Sequence, residues 1–200
     1  MTSSERLRAA LRDTEHGTWL DGALAAAGRP ETIRRSFAAA GRRTGRAPLP
    51  GAPGWTADEA ARALLLAALP PGRLPEEAHD LYRYGDADEK RAVLKALPLL
   101  PIGADAVPLL LDAIRTNDAR LLTAALGPYA AHLDQSAWRQ AVLKCVFMGV
   151  PLAGVDRLAE RADAELAAML AAYADELAAA GRPMPGDAAA LLRRLTSEET

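Results

Sequence analysis

Apolar residues recur along the chain at three- and four-residue steps, and Gly, Pro and Asp mark the turns between the periodic stretches. Leu7, Ala10 and Leu11 share one face, and Leu20, Ala23, Leu24 and Ala27 share another. This predicts a helix opened by Ser3 or Ser4 that kinks or splits at Gly17. Gly28 and Pro30 end it, and Pro30 starts a helix to about Gly41 with Ile33, Phe37 and Ala40 inward. The RAPLPGAPGW segment (46–55) reads as an irregular connection. Thr56 and Glu59 then form a capping box for a helix through Ala60, Leu64, Leu65 and Ala68. Further helices are expected after Pro75, after a second capping box at Asp86 and Glu89, from Ala104 through Ile114, and after Asn117 or Asp118. Asp134 opens the helix carrying Trp138, Val142, Cys145 and Met148, which stops at Gly149 and Pro151. Asp163 opens the longest one, with Leu166, Met169, Leu170, Tyr173 and Leu177 on one face. A short helix over Ala188–Leu195 follows, and residues 196–200 read as a frayed tail.

No strand pattern occurs. The expected fold is all-α: stacked antiparallel helical hairpins, either a HEAT-like α-solenoid or an irregular helical bundle. Residues 1–200 read as one helical domain, with an N-terminal helical pair over 1–45, the connection at 46–55 and a hairpin body over 56–195. Aspartate caps recur at Asp86, Asp105, Asp118 and Asp134, but at uneven spacing, so the body is repeat-like rather than a counted array.

Composition narrows the class. Half of the residues are apolar and only 4% are aromatic, so the core is aliphatic. A net charge of -2 argues against a dedicated nucleic-acid binder, which needs a concentrated basic face. Arg29–Arg46 does hold six arginines against Glu31, but without interleaved aromatics it reads as a solvated helix face. The lone Cys145 leaves no internal disulfide or cysteine-clustered zinc site, and suits a reducing compartment. The N-terminus lacks the apolar segment of a secretion signal, so a cytoplasmic protein is expected. The weakly charged run from Ala141 to Val155 is shorter than the ~20 residues a spanning helix needs.

Candidate chemistry is sparse. Glu76 and His79 have Glu-x-x-His spacing in one copy only, and a surface or structural role is favoured over metal binding. No phosphate-cradling glycine loop or nucleophile–base set is recognisable, and neither metal nor cofactor is expected. The conspicuous stretch is Arg115–Arg161, where Lys144 is the single charge between Ala141 and Leu152. Such a cation either snorkels outward or points at something. Helix ends nearby supply Arg115, Asn117, Tyr129, Trp138 and Arg157. Together with Lys144 they make one candidate pocket, with cationic and amide donors around an aromatic wall. Four of them have a plainer alternative. Arg115 suits a helix C-terminus, Asn117 suits a left-handed cap, and Tyr129 and Trp138 suit a core.

RTN (115–117), the GPYAA turn, SAWRQAVLKCVFMGVPL, Asp156–Leu158 and RADAELAAMLAAYADELAAAGRP resemble the C-terminal signature of the EboA-domain family of bacterial metabolite-traffic proteins. Looser likeness extends upstream through ALPLLP, Leu64–Leu66 and SFAAAGRRTG. The chain departs from that pattern at Gly127, Arg139 and Asp163, where the family commonly has Asn, and at Asp175, where it commonly has His. The resemblance implies a gene cluster encoding a UbiA-like prenyltransferase, a dehydroquinate-synthase-like cyclase, a TatD-like hydrolase and a sugar-isomerase-like barrel. It also implies a role in making or exporting a small metabolite. The expected function is therefore a non-catalytic accessory protein that binds a polar small metabolite or a pathway enzyme, a membrane prenyltransferase among the possible partners. The alternatives are an enzyme acting on a cyclitol- or sugar-like intermediate, with Lys144 and Tyr129 as titratable groups, and a HEAT-like interaction scaffold.

Overall fold

A computed structural model of the chain describes residues 3–14 and 16–197. Among these residues the fold is all-α, with one isolated bridge between Pro48 and Thr56 and no strand. The helices are α1 (Ser3–Arg12), α2 (Gly17–Ala26), α3 (Pro30–Thr44), α4 (Ala57–Ala67), α5 (Leu74–Tyr84) and α6 (Ala87–Ala96). They continue with α7 (Val107–Arg115), α8 (Ala119–Ala125), α9 (Gln135–Met148), α10 (Leu158–Arg161), α11 (Ala164–Ala179) and α12 (Gly186–Ser197). The chain divides into two compact units, Met1–Leu109 and Leu110–Thr200.

In the first unit α4 is the central element. Every residue from Ala57 to Leu66 is buried, and α1, α2, α3 and α6 pack against it. Its alanines let neighbouring backbones approach from several sides. The Thr56–Glu59 capping box starts it as the sequence predicts, with the Thr56 N–H donating to Glu59 Oε2 at 3.0 Å. The second box holds at Asp86, which accepts the Glu89 N–H at 2.8 Å. The first helical stretch is split rather than kinked: α1 ends at Arg12 and α2 begins at Gly17. A Cβ on Gly17 would lie 3.2 Å from the Arg12 carbonyl, so glycine lets the two helices meet in a tight turn without displacing that carbonyl. The Pro/Gly-rich connection lies inside this unit, and it buries Leu49 and Ala52.

In the second unit α9 buries Trp138, Ala141, Val142, Cys145 and Val146, and it packs against α8 and α11. Asp134 caps its start by accepting the Ala137 N–H at 2.8 Å. Gly149 ends it in the left-handed conformation (φ 67°), and the Val150 N–H closes onto the Cys145 carbonyl at 2.8 Å. The Asp187 carboxylate, in the first turn of α12, accepts the Leu152 N–H at 2.8 Å and ties that turn down.

Three details differ from the sequence reading. Asp105 is not a helix cap: α7 begins at Val107, and the Asp105 carbonyl instead lies 3.2 Å from His79 Nε2. A short helix, α10, follows Arg157, whose φ of 52° is the one positive value on a non-glycine residue among the described residues. The last helix runs through Ser197, so Thr196 and Ser197 belong to it. Residues 198–200 of the expected tail lie outside the described residues.

Candidate functional site

Lys144 shows how the Arg115–Arg161 stretch is built. From the third turn of α9 its Nζ donates to the Ile114 and Thr116 carbonyls, each at 2.6 Å. These carbonyls belong to the end of α7, where helix geometry leaves the last carbonyl groups without intrahelical donors. The cation in the apolar run therefore staples one helix end onto another helix, and its charge also suits the negative end of the helix dipole. Arg115 and Asn117 each directly follow one of the stapled carbonyls in the chain and are exposed. Three of the six candidate residues thus meet at the α7–α8 junction.

The other three sit differently. Trp138 is fully buried, and the Arg161 guanidinium stacks over its ring at 4.8 Å. The indole Nε1–H is buried without a hydrogen-bond partner among the described residues. Tyr129 is buried and tilts against the His132 ring, with centroids 4.7 Å apart. Arg157 is exposed, and its Nε donates to Glu160 at 2.6 Å. The Asp156 N–H before it reaches the Leu126 carbonyl at 2.9 Å, which anchors this loop at the end of α8. The structure brings Arg115, Asn117 and Lys144 together. It does not bring the two aromatic rings to a solvent-open wall beside them.

Around Trp138 lies a polar cluster that the sequence reading missed. Arg161 donates to the Ala130 carbonyl at 2.7 Å, the Leu133 carbonyl at 3.0 Å and Gln135 Oε1 at 3.1 Å. Gln135 returns its amide to the Arg161 carbonyl at 2.7 Å and to Asp163 at 2.9 Å. Burial, followed by the nearby Arg157 charge, pushes the Arg161 pKa down. Arg139 forks onto Asp163, with Nε at 2.9 and 3.1 Å and a terminal nitrogen at 2.6 Å. The Arg139 hydrogen bonds hold the Asp163 carboxyl far below the usual carboxylate range, while the same carboxylate caps α11 through the Leu166 N–H at 3.1 Å. No local spacing signalled this cluster in the sequence, since Arg139 and Asp163 lie 24 positions apart.

The first unit holds a second cluster, on α4. Arg62 is only 2% exposed; it donates to Asp58 at 2.5 Å and to the Phe37 carbonyl at 3.1 Å, and it lies over the Phe37 ring at 5.5 Å. Buried Glu59 pairs with Lys95, and with Arg91 at 3.0 Å, the latter an ion pair whose angle is not that of a hydrogen bond. Lys95 also donates to the Gly54 carbonyl at 2.6 Å and sits over the Trp55 ring. Burial pushes the Lys95 pKa down against the opposing pull of Glu59. The signal in the sequence was the i, i+4 spacing of Asp58 and Arg62 within an alanine-rich helix. Two of the six arginines of 29–46 pair with acids: Arg34 with Glu77 and Asp80, and Arg46 with Asp88.

The α7–α8 junction, the cluster around Trp138 and the charged residues of the α4 cluster fall inside residues 38–192, which match the family described as "Metabolite traffic protein EboA". The chain is an all-helical member of the EboA family, and its family places it in metabolite traffic. No curated protein and no solved structure matches it. Among the described residues, no helix is long and apolar enough to cross a membrane.

Proposed function

We propose that this EboA-family protein serves metabolite traffic in the cytoplasm as a non-catalytic accessory component. In this role it binds a polar small metabolite, or the pathway enzyme that handles one, on the α7–α8 edge of its second unit. Arg115 and Asn117 supply the exposed charge and amide, Lys144 fixes the carbonyls of the residue preceding each, and Arg157 extends the polar edge. Tyr129 and Trp138 take part on this reading only as buried core residues of the same unit.

The observation that carries this reading is Lys144. An enzymatic role would need its amine free to exchange a proton with substrate, whereas its Nζ donates to two backbone carbonyls at 2.6 Å. The test is native mass spectrometry of the purified chain for a co-purifying small molecule, repeated on Arg115→Ala and Asn117→Ala. Loss of the bound species in folded variants supports the site. Full retention in both contradicts it.

A second reading has one specific observation behind it. Phe147, one turn beyond Lys144 on α9, is 58% exposed and stacks on Tyr173 at 4.2 Å. An exposed aromatic with a rigid backing ring suits a protein–protein contact, as the scaffold alternative requires. Phe147→Ser with an intact melting temperature would abolish capture of a pathway enzyme on that reading, and would leave small-molecule retention unchanged.

A further inference from the structure

The first unit contains a cleft of about 630 Å³ between α1, α2 and α4. That volume lies within the ~300–1,000 Å³ typical of small-molecule sites. Its floor follows from the course of α4. The helix is buried all round up to Leu66, then presents Ala67 and Ala68 exposed, with Leu64 beneath them. Leu24 and Ala25 of α2 line the facing wall. Methyl side chains at 67 and 68 leave unfilled the volume that larger residues would occupy, and they leave core-type surface open to solvent.

The rim is polar. Arg8 and Arg12 stand one turn apart on α1, and both reach Asp21 Oδ1 of α2, at 3.4 and 2.9 Å. Each guanidinium carries five N–H donors, so two of them sharing one carboxylate oxygen hold far more donor capacity than Asp21 uses. Asp21 is kept below the usual carboxylate range, chiefly by the Arg12 hydrogen bond. Glu5 completes the rim, so its formal charges cancel. The preference must then come from geometry: apolar surface at the bottom and a paired guanidinium fork at the mouth.

We propose that this cleft binds an amphiphile: an apolar body seated on Leu24, Leu64, Ala67 and Ala68, with one anionic head, carboxylate or phosphate, on Arg8 and Arg12. The head joins or displaces Asp21 on the fork. The site is distinct from the α7–α8 edge and does not depend on the role proposed for that edge.

The full-length chain is titrated calorimetrically with octanoate, octyl phosphate, 1-octanol and inorganic phosphate, with amide shifts recorded for the same mixtures. Saturable binding of either octyl anion is expected, with shifts centred on Leu24 and Leu64–Ala68, and the tighter of the two assigns the head. The double variant Arg8→Ala/Arg12→Ala should bind at least tenfold more weakly, 1-octanol should bind wild type at least tenfold more weakly, and Asp21→Asn should bind more tightly. Ala67→Trp should block the cleft, and Ala25→Trp serves the same purpose from the facing wall if Ala67→Trp does not fold. The proposal is overturned if neither octyl anion binds, if 1-octanol binds as tightly as octanoate, or if the arginine variant is indistinguishable from wild type. It is equally overturned if inorganic phosphate binds as tightly as octyl phosphate and survives the blocking substitution.

Discussion

Arg139 and Asp163 face each other in a forked ion pair, with three nitrogen–oxygen approaches between 2.6 and 3.1 Å. One side chain comes from the second turn of α9 and the other caps α11, so the pair ties those two helices together.

A double-mutant cycle on this pair should give a favourable coupling that weakens with added salt, because the fork is bidentate but part-exposed. Asp163→Asn keeps a capping oxygen and should cost less than Asp163→Ala. Because the native carboxyl is depressed, its stabilisation is present above the unfolded value of about 3.9 and is lost as pH falls from there through the native value. Urea melts of wild type and Asp163→Asn should therefore differ at pH 7 and converge in acid.

The buried Arg62–Asp58 pair predicts a larger penalty. Arg62→Met strands the Asp58 carboxylate in a helix with no exposed face at that point, and should cost about 3–5 kcal/mol. Adding Asp58→Asn should recover a substantial part of that loss. If the double variant is as unstable as the sum of the singles, the pair is not acting as a unit.

Burial, reinforced by the Asp187 charge, pushes the Cys145 thiol up to about 12. At pH 8 the native thiol should be inert towards Ellman's reagent and react fully once the chain is unfolded in guanidinium. The native state holds this proton more tightly than the unfolded chain. The contribution of Cys145 to stability is therefore intact below about pH 8.5 and falls as pH rises towards the native value.

Lys144→Met removes the donor from two helix-end carbonyls while keeping the aliphatic stem. It should cost about 1–3 kcal/mol and speed amide exchange around 114–118 without unfolding α9. Unchanged exchange at that junction would mean that the staple carries no local stability.

Most of the helical plan was legible because it rests on local chemistry. Thr56/Glu59, Asp86/Glu89, Asp118, Asp134 and Asp163 are capping signals that act within four residues, and each opens a helix. Arg161 was not legible, since its three acceptors are backbone carbonyls and a glutamine 26 to 31 positions away in sequence. Arg62 was hidden for the opposite reason: a charged residue in a polar-looking turn of α4 reads as surface, yet α1, α2, α3 and α6 cover that helix from all sides. Lys144 was singled out by its apolar setting, but no sequence pattern names two carbonyls as its target. The cleft was unreadable too, because it depends on alanines whose neighbours fail to fill the space above them.

The central claim is that this protein binds without converting what it binds. The direct measurement incubates purified wild type, Arg115→Ala/Asn117→Ala and Lys144→Met with a small-molecule extract. Native mass spectrometry then reads what is bound, and chromatography coupled to mass spectrometry follows the extract over time. The account predicts a bound, chemically unchanged species on wild type, depleted on Arg115→Ala/Asn117→Ala, with no protein-dependent product. A product that accumulates with wild type and disappears with a folded Lys144→Met protein would contradict it.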